Sequence, residues 1–513
     1  MIDMSRKDFL HGTLGSLIAT GVGSGLTLQP AVARPSAPRR TLIRGARVLT
    51  MDSSRSEIPR ADVLIDGGRI AGISPIIEAG NSEIVEAEGM ILMPGLIDGH
   101  RHVWHSTFMG RRVVMDPFRS LDNITYANQR LAPVLTPEEV HFANYVGGKM
   151  ALDAGVTSVV DHCTAVVSPE KGDAAARGLK ESGIGGMFCY GLSGSPDYGA
   201  GATVSAARAD AIMAAPADAW HLEQAAVVRD RHFSSGQDPL QFGVALSLME
   251  FGKRTRQQIY DEVNAARALS PALMTVHLLG GNAPSLAPEP YNLIMDLGRK
   301  GLLDERFHVS HGGEFTKEDL KMMRDHGAML CATPLSEEAF GLGVILARAF
   351  DSGVSLGIGV DTPMGVTMDF FEHIRGAFWN LAMNPEFADR RGKLTAYDIL
   401  PLATIRGAHA IGQGEVIGSI EVGKRADLVL LRTDRMGFGV TGSAADRVLN
   451  FAALQDIDSV WVAGRAQKRG GQMLGIDWAD VKTKAMAIAE KRNIDAESIT
   501  FTGKVDQAVN LDK

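Results

Sequence analysis

The chain has 513 residues, of which 45% are hydrophobic and 22% are charged, and its formal net charge at pH 7 is -8. This composition is typical of a globular enzyme, and the acidic balance argues against nucleic acid or an anionic membrane as a partner. The length exceeds one ordinary domain, although a barrel with an appended domain could account for it. The cysteines, Cys163, Cys189 and Cys331, lie in apolar strand-like runs, so we interpret them as buried free thiols.

The N-terminal residues have the features of an export signal. Residues 5–10 (SRKDFL) resemble the twin-arginine consensus, with Lys7 in place of the second arginine. A glycine-rich, mildly apolar stretch follows at 12–28, and residues 31–33 (AVA) fit a small-x-small cleavage pattern. We therefore predict that residues 1–33 direct the protein to the periplasm or outside the cell. The alternative is a cytoplasmic protein with a disordered leader. Because glycines interrupt the apolar stretch, we expect no stable membrane anchor.

Short strands and tight turns are predicted for residues 41–94, where apolar and polar residues alternate around Gly and Asp-Gly pairs. A similar texture returns only near the other end, at 417–431 and 460–465. We therefore predict one small composite β-sandwich domain built from both chain ends, residues 41–94 and 412–475. The remaining residues, 476–513, are polar and helix-prone, so we predict a helical tail there.

The middle of the chain, residues 95–411, alternates short apolar runs with amphipathic helical stretches. The predicted strands cover residues 96–102, 157–163, 184–191, 242–248, 273–279, 307–311, 328–332 and 354–360. The predicted helices include residues 137–152, 255–269, 316–326 and 344–352. Strand-then-helix units in this number indicate an α/β protein with a (β/α)8 TIM-type barrel. The alternative, a doubly wound open sheet, lacks a Gly-x-Gly-x-x-Gly turn after the first strand.

Side chains of metal-binding type stand where several of these strands end. His100 and His102 end the first strand, and their spacing of two places both imidazoles on one strand face. His277 ends the fifth strand, His311 the sixth and Asp361 the eighth. A barrel has its active site at the carboxyl ends of its strands, so these groups should converge. A single strand-end histidine is often structural, but the joint occurrence predicts a divalent-metal site.

Four motifs carry a resemblance to a known family. They are PGLIDGHRH at 94–102, GVTSVVD at 155–161, ATIRGA at 403–408 and GSIEVGKRADLV at 418–429. Over residues 42–464 the chain resembles the amidohydrolase superfamily, in the branch of cytosine-deaminase-like and triazine-hydrolase (atrazine/melamine-type) enzymes. The resemblance implies a barrel beside a split β-sandwich, a small-molecule substrate and assembly into a homo-oligomer.

The resemblance also implies which residues bind the metal. In this branch one divalent ion is held by both first-strand histidines, the fifth-strand histidine and the eighth-strand aspartate, which correspond here to His100, His102, His277 and Asp361. We expect Zn²⁺, with Fe²⁺ as the alternative. Other branches hold two metals bridged by a fourth-strand lysine, and residues 242–250 contain no lysine. We therefore expect one metal ion.

The implied chemistry is hydrolysis at this centre. A bound Zn²⁺ or Fe²⁺ lowers the pKa of its water to about 7, which provides a hydroxide for attack. We expect Asp361 to accept the water's proton and to return it to the leaving nitrogen. His311, which the resemblance places beside the water or substrate, is expected to stabilise charge in the tetrahedral transition state.

Further polar residues near the mouth of the barrel are candidates for substrate contact, and they are His105, His162, Glu314 and Glu250. A packing or solvent-facing role is the alternative for each of them, and Glu250 could instead bridge a second metal. His308 lies three residues before His311, so we expect it to point away from the mouth and to be structural.

One position departs from the family pattern. Deaminases of this branch usually carry a glutamate three residues after the fifth-strand histidine, where this chain has Gly280. Since glycine cannot transfer a proton, we predict hydrolysis of an amide, urea or carbamate C–N bond. The alternatives are a deaminase or dechlorinase of a heteroaromatic ring that uses Glu314 as a replacement carboxylate, and a non-catalytic, metal-free homologue. The mouth loops, at 106–136 and 193–239, contain no motif that identifies the substrate.

Overall fold

The protein is described from a computed structural model. The structure describes residues 40–54, 57–110, 126–213, 215–247, 254–280, 292–390 and 392–503. The predicted export signal at 1–33 and Glu250 lie outside the described residues.

Eight parallel strands form the barrel, and each pairs with its neighbours in chain order. Barrel strands 1 to 8 are Leu96–Arg101, Val156–Cys163, Gly185–Gly191, Leu240–Ala245, Leu273–Leu278, Phe307–His311, Met329–Ala332 and Ser355–Ile358. Each lies within three residues of its predicted position, so the predicted barrel is confirmed. The strands read as continuous apolar runs because a parallel sheet of this kind is buried on both faces.

Helices separate the strands and cover the outside of the barrel. The longer ones are Pro137–Asp153, Pro169–Ser182, Ala206–Met213, Ala219–His232, Arg256–Ala268, Lys317–Asp325 and Phe370–Met383, with shorter ones at Leu293–Arg299, Pro334–Phe340, Leu346–Ala349, Ala396–Ile399 and Ile405–His409. Their starts follow from local chemistry. Thr136 and Glu139, for example, form a reciprocal capping box at the first. The helix predicted at 344–352 is shorter, since Gly341 and Gly343 precede it at positive φ.

Both ends of the chain contribute to one further, nine-stranded sheet. Its strands are Thr41–Leu49, Glu57–Asp66, Arg69–Ser74, Glu83–Glu86, Ile91–Pro94, Leu428–Leu431, Ile457–Val462, Arg465–Arg469 and Gln472–Met473. The two ends meet where Ile91–Pro94 pairs antiparallel with Leu428–Leu431. Buried side chains such as Leu92, Leu430 and Trp461 form a separate core there. The predicted composite β-domain is therefore confirmed.

The barrel closes through the backbone of the predicted metal-binding segments. Asp361 N donates to His100 O at 2.8 Å, and His102 N donates to Asp361 O at 2.9 Å. Strand 8 approaches closely because residue 359 is glycine, where a Cβ would lie only 2.6 Å from His100 N. The buried Asp98 carboxylate strengthens this seam, because its Oδ1 accepts from Val360 N at 3.0 Å.

Arg101 lies inside the barrel wall. Its Nε donates to Asp98 Oδ2 at 2.6 Å, and both side chains are fully buried. The arginine neutralises the carboxylate that fastens strand 1 to strand 8.

The C-terminal tail forms the helix Trp478–Glu497 and the short strand Thr500–Thr502, which pairs with Thr203–Ser205. Arg492 holds the helix against the barrel through Glu139 Oε2 at 2.7 Å. Within the described ranges, no helix has the length and apolarity needed to cross a membrane. The three cysteines are buried and free.

We predict that Asp98→Ala lowers the free energy of unfolding by about 3–5 kcal/mol, because it leaves the buried Arg101 guanidinium without its hydrogen-bonded carboxylate. Urea-induced unfolding of the metal-free protein measures the loss. The matched control is Asp197→Ala, which breaks the exposed Arg208–Asp197 pair and should cost less than about 1 kcal/mol. Equal effects of the two substitutions would contradict the role given to Asp98.

Candidate metal centre

Four predicted side chains converge at the carboxyl ends of barrel strands 1, 5 and 8. One ligand atom from each of His100, His102, His277 and Asp361 lies within 4.8 Å of the others. Asp361 Oδ1 is 3.4 Å from His100 Nε2 and 3.6 Å from His102 Nε2. Asp361 has a φ of 71°, a strained value for a residue other than glycine, which the closing hydrogen bonds hold in place.

Hydrogen bonds on the far side of two rings fix their orientation. His102 Nδ1 donates to the backbone carbonyl oxygen of His162 at 2.7 Å, so its Nε2 carries the lone pair. His100 Nδ1 is hydrogen-bonded with Ser310 Oγ at 2.9 Å, and its Nε2 faces Asp361. Such contacts to metal-binding histidines set the tautomer and the direction of the ring.

The residues fit a divalent cation. His102 Nε2 and His277 Nε2 are only 3.2 Å apart, an arrangement that needs positive charge between the nitrogens when neither is protonated. The buried His100 Nε2 has no hydrogen-bond partner among the described residues. Burial lowers the pKa of His100 and of His277 well below the usual value, and it also lowers the pKa of His102. The imidazoles are therefore held in the neutral form that binds metals.

His311 stands beside this group at the end of strand 6. Its ring centroid lies 5.3 Å from that of His100 and 5.6 Å from that of His277. It has a φ of 82°, a second strained residue at the centre. His311 Nδ1 lies 3.1 Å from Thr333 Oγ1 and 3.3 Å from Glu337 Oε1.

Three residues that orient these rings were not indicated by the sequence, namely Ser310, Thr333 and Glu337. Ser310 immediately precedes His311, and the signal for it was only a polar residue inside a buried strand. Glu337 lies in the short helix after strand 7, a strand that does not end in a residue of metal-binding type. The Glu337 carboxyl is fully buried, and burial raises its pKa above the usual range, although hydrogen bonds with His311 and Thr333 oppose the shift.

Two of the predicted substrate-contact residues, His105 and His162, are buried beside the four ligands. His105 is buried, its Nδ1 is 2.9 Å from Thr362 Oγ1, and its ring centroid is 5.0 Å from that of His102. The ring centroid of His162 lies 3.9 Å from that of His277, so His162 packs directly on the centre. His308 is buried, and its Nδ1 is hydrogen-bonded with Thr275 Oγ1 at 3.0 Å, as expected for a structural residue.

Glu314 is exposed and lies across Gly280 of the neighbouring strand. Glu314 N donates to Leu279 O at 2.7 Å, which ties the ends of strands 5 and 6 together. A Cβ added at residue 280 would lie 2.8 Å from Glu314 Oε2 and 3.2 Å from Glu314 Cβ. The Glu314 side chain therefore occupies the space that the Cβ of a larger residue at 280 would need.

We predict that Ser310→Ala weakens zinc binding about 10- to 100-fold, because His100 loses the contact that orients its ring. Competition with a chromophoric chelator measures the affinity. Ser459→Ala, a substitution of a buried serine in the β-domain, is the matched control and should leave the affinity unchanged. Wild-type affinity in Ser310→Ala would contradict the orienting role of Ser310.

The model of the Amidohydrolase family matches residues 91–466. Among curated relatives, a 5-methylthioadenosine/S-adenosylhomocysteine deaminase of Desulforudis audaxviator is 24% identical over 472 residues, which cover 88% of this chain and 99% of the relative. An enzyme with the same name from Symbiobacterium thermophilum is 25% identical over 421 residues, covering 77% of this chain and 86% of the relative.

Solved structures share the fold. An adenosine deaminase from Xanthomonas campestris with bound zinc superposes with a TM-score of 0.73 at 20% identity and covers 90% of this chain and 100% of its own. Atrazine chlorohydrolase from Arthrobacter aurescens, complexed with zinc, gives a TM-score of 0.70 at 17% identity, with 88% and 100% covered. With the family match spanning the barrel and part of the β-domain, these findings agree with the sequence motifs: the chain belongs to the amidohydrolase family, and it is a hydrolase.

Proposed function

We propose that the protein is a zinc-dependent hydrolase that cleaves a C–N bond of a small molecule, of amide, urea or carbamate type. The observation that carries this proposal is the convergence of three imidazoles and one carboxylate within 4.8 Å. Nitrogen ligands with a single carboxylate suit Zn²⁺, with Fe²⁺ as the alternative, better than the oxygen-binding Mg²⁺ or Ca²⁺. Zinc in two solved structures of the same fold supports this choice.

The residues around the centre divide the work of hydrolysis. His100, His102, His277 and Asp361 would hold the ion. When bound, such an ion lowers the pKa of a coordinated water and polarises the substrate. Asp361 accepts a proton from the attacking water, and its position against two histidines keeps its carboxylate aimed at the centre. His311, beside His100 and His277, contacts the reacting group and stabilises its developing charge.

A second candidate is deamination of a heteroaromatic ring, which is also hydrolysis of a C–N bond. The names of the curated relatives support it. The contact of Glu314 with Gly280 is the specific observation in its favour, because it brings a carboxylate from the loop after strand 6 over the end of strand 5. Protonation of a ring nitrogen requires such an acid near the substrate.

The substrate screen distinguishes the two candidates. Zinc-verified protein is incubated with amides, ureas, carbamates and aminated heterocycles, and products are scored by mass together with ammonia release. We expect turnover in one of these groups. Asp361→Asn should lower kcat by more than about 100-fold, since the proton acceptor is lost, while circular dichroism reports an unchanged fold.

Two outcomes would contradict the proposal. One is less than half an equivalent of metal per chain after metal-replete expression. The other is Asp361→Asn activity within a few-fold of wild type at equal zinc content.

If Glu314 protonates the ring nitrogen, we predict that Glu314→Gln lowers the rate of ammonia release from heterocycles about 100-fold or more. A second variant moves the carboxylate from residue 314 to residue 280. It includes Glu314→Gly, because the Glu314 side chain would collide with a side chain at 280. The double variant Gly280→Glu/Glu314→Gly should therefore recover activity relative to Glu314→Gly alone. Glu318→Gln, in the first turn of the next helix, is the control and should keep full activity. Full activity in Glu314→Gln would remove Glu314 from the mechanism.

Assembly into a homo-oligomer and export through the twin-arginine-like signal stay predictions. Light scattering of the purified protein tests the first. Fractionation of cells that express the full chain tests the second.

A further inference from the structure

Glu337 is a buried carboxylate that belongs to neither the metal ligands nor the proposed proton acceptor. Its side chain is fully buried, at 0% exposure. Its Oε1 accepts from Thr333 N at 2.9 Å and lies 3.3 Å from both Thr333 Oγ1 and His311 Nδ1. Its Oε2 has no hydrogen-bond partner among the described residues.

His311 and Thr333 are the hydrogen-bond partners of Glu337. Within the described part of the chain, Glu337 forms an ion pair with His311 and with no lysine or arginine. A buried carboxyl group is costly unless it is hydrogen-bonded, and His311 Nδ1 together with Thr333 N satisfies Oε1. Thr333 Oγ1 adds a second route, because it can accept from His311 Nδ1 and donate to Glu337 Oε1.

We propose that Glu337 is a positioning residue that holds the proton of His311 on Nδ1, so that His311 exchanges protons with the substrate through Nε2. This inference rests on the proposed function, in which His311 contacts the reacting group. It adds a second carboxylate, reached through an imidazole, to the proton-transfer machinery of the centre.

The arrangement changes what His311 does in the reaction. An imidazole with Nδ1–H directed at a carboxylate has its lone pair on Nε2, and the carboxylate stabilises the imidazolium that forms when Nε2 takes a proton. In hydrolysis the water oxygen bonds to carbon and the C–N bond breaks. One water proton, accepted first by Asp361, passes by way of His311 Nε2 to the leaving nitrogen, and the other stays on the product oxygen. The group at position 280 is then not needed to deliver that proton.

A purely structural role for Glu337 predicts different results. The carboxylate caps the backbone N–H of Thr333 at the start of the helix Pro334–Phe340. Loss of that contact alone would lower the stability and would leave kcat unchanged in the protein that remains folded. A positioning role predicts the reverse, because glutamine keeps an acceptor for Thr333 N but carries no charge.

The test uses zinc-loaded wild-type protein and Glu337→Gln. Proton–nitrogen correlation spectra of protein with ¹⁵N-labelled histidine, with the His311 signal assigned by its absence in His311→Gln, should give the Nδ1–H tautomer in the wild type. Glu337→Gln should lower kcat about 10- to 100-fold, with KM within about threefold and unchanged zinc content. Asp427→Asn removes a buried carboxylate in the β-domain, paired with Arg425, and should lower the melting temperature but not kcat.

An Nε2–H tautomer in the wild type overturns the inference, as does a Glu337→Gln kcat within threefold of wild type. A loss of kcat that is matched by loss of zinc or of folded protein also overturns it. The spectrum of the wild type decides the question even when Glu337→Gln does not fold. The same spectrum tests the tautomer of His311 when no C–N substrate is turned over. Absence of turnover would count against the proposed function and not against the tautomer.

Discussion

The backbone hydrogen bonds that join strand 1 to strand 8 are the constraint on which the site depends. They close the barrel through His100, His102 and Asp361, the same residues that present three of the four ligand atoms. Closing the barrel and assembling the centre are therefore one structural event. The glycine at 359 allows the strands to approach, and the Asp98–Arg101 pair supports the seam from within the wall.

This coupling explains why strained and buried polar groups can persist here. His311 and Asp361 adopt positive φ, and the imidazoles are buried deeply enough that their neutral forms are favoured. Each feature costs free energy, which the apolar packing of eight buried strands offsets. Since neutral imidazoles facing one another lack a positive partner, binding a cation relieves the unfavourable arrangement. The folded chain is in this sense prepared for the ion.

The sequence was sufficient to predict the barrel and the composite β-domain, because strand periodicity and turn residues are local patterns, and four motifs carried the resemblance to the family. It could not predict contacts set by the pairing of distant strands. Ser310 contacts His100 because the folded barrel brings strands 1 and 6 together. Glu337 contacts His311 from the helix that follows strand 7.

Gly280 lacks the side chain that would transfer a proton, but other carboxylates lie near this position. Two glutamates that follow strands 6 and 7 lie nearby: Glu314 lies over Gly280, and Glu337 lies beside His311 Nδ1. They differ in environment, since Glu314 is exposed and Glu337 is buried. An exposed carboxylate can exchange protons with solvent and with a bound ring, whereas a buried one acts through the group it touches. Under the mechanisms proposed above, a chain with glycine at 280 would retain two physically distinct routes for moving a proton, and the bond it cleaves would depend on which route meets the leaving group.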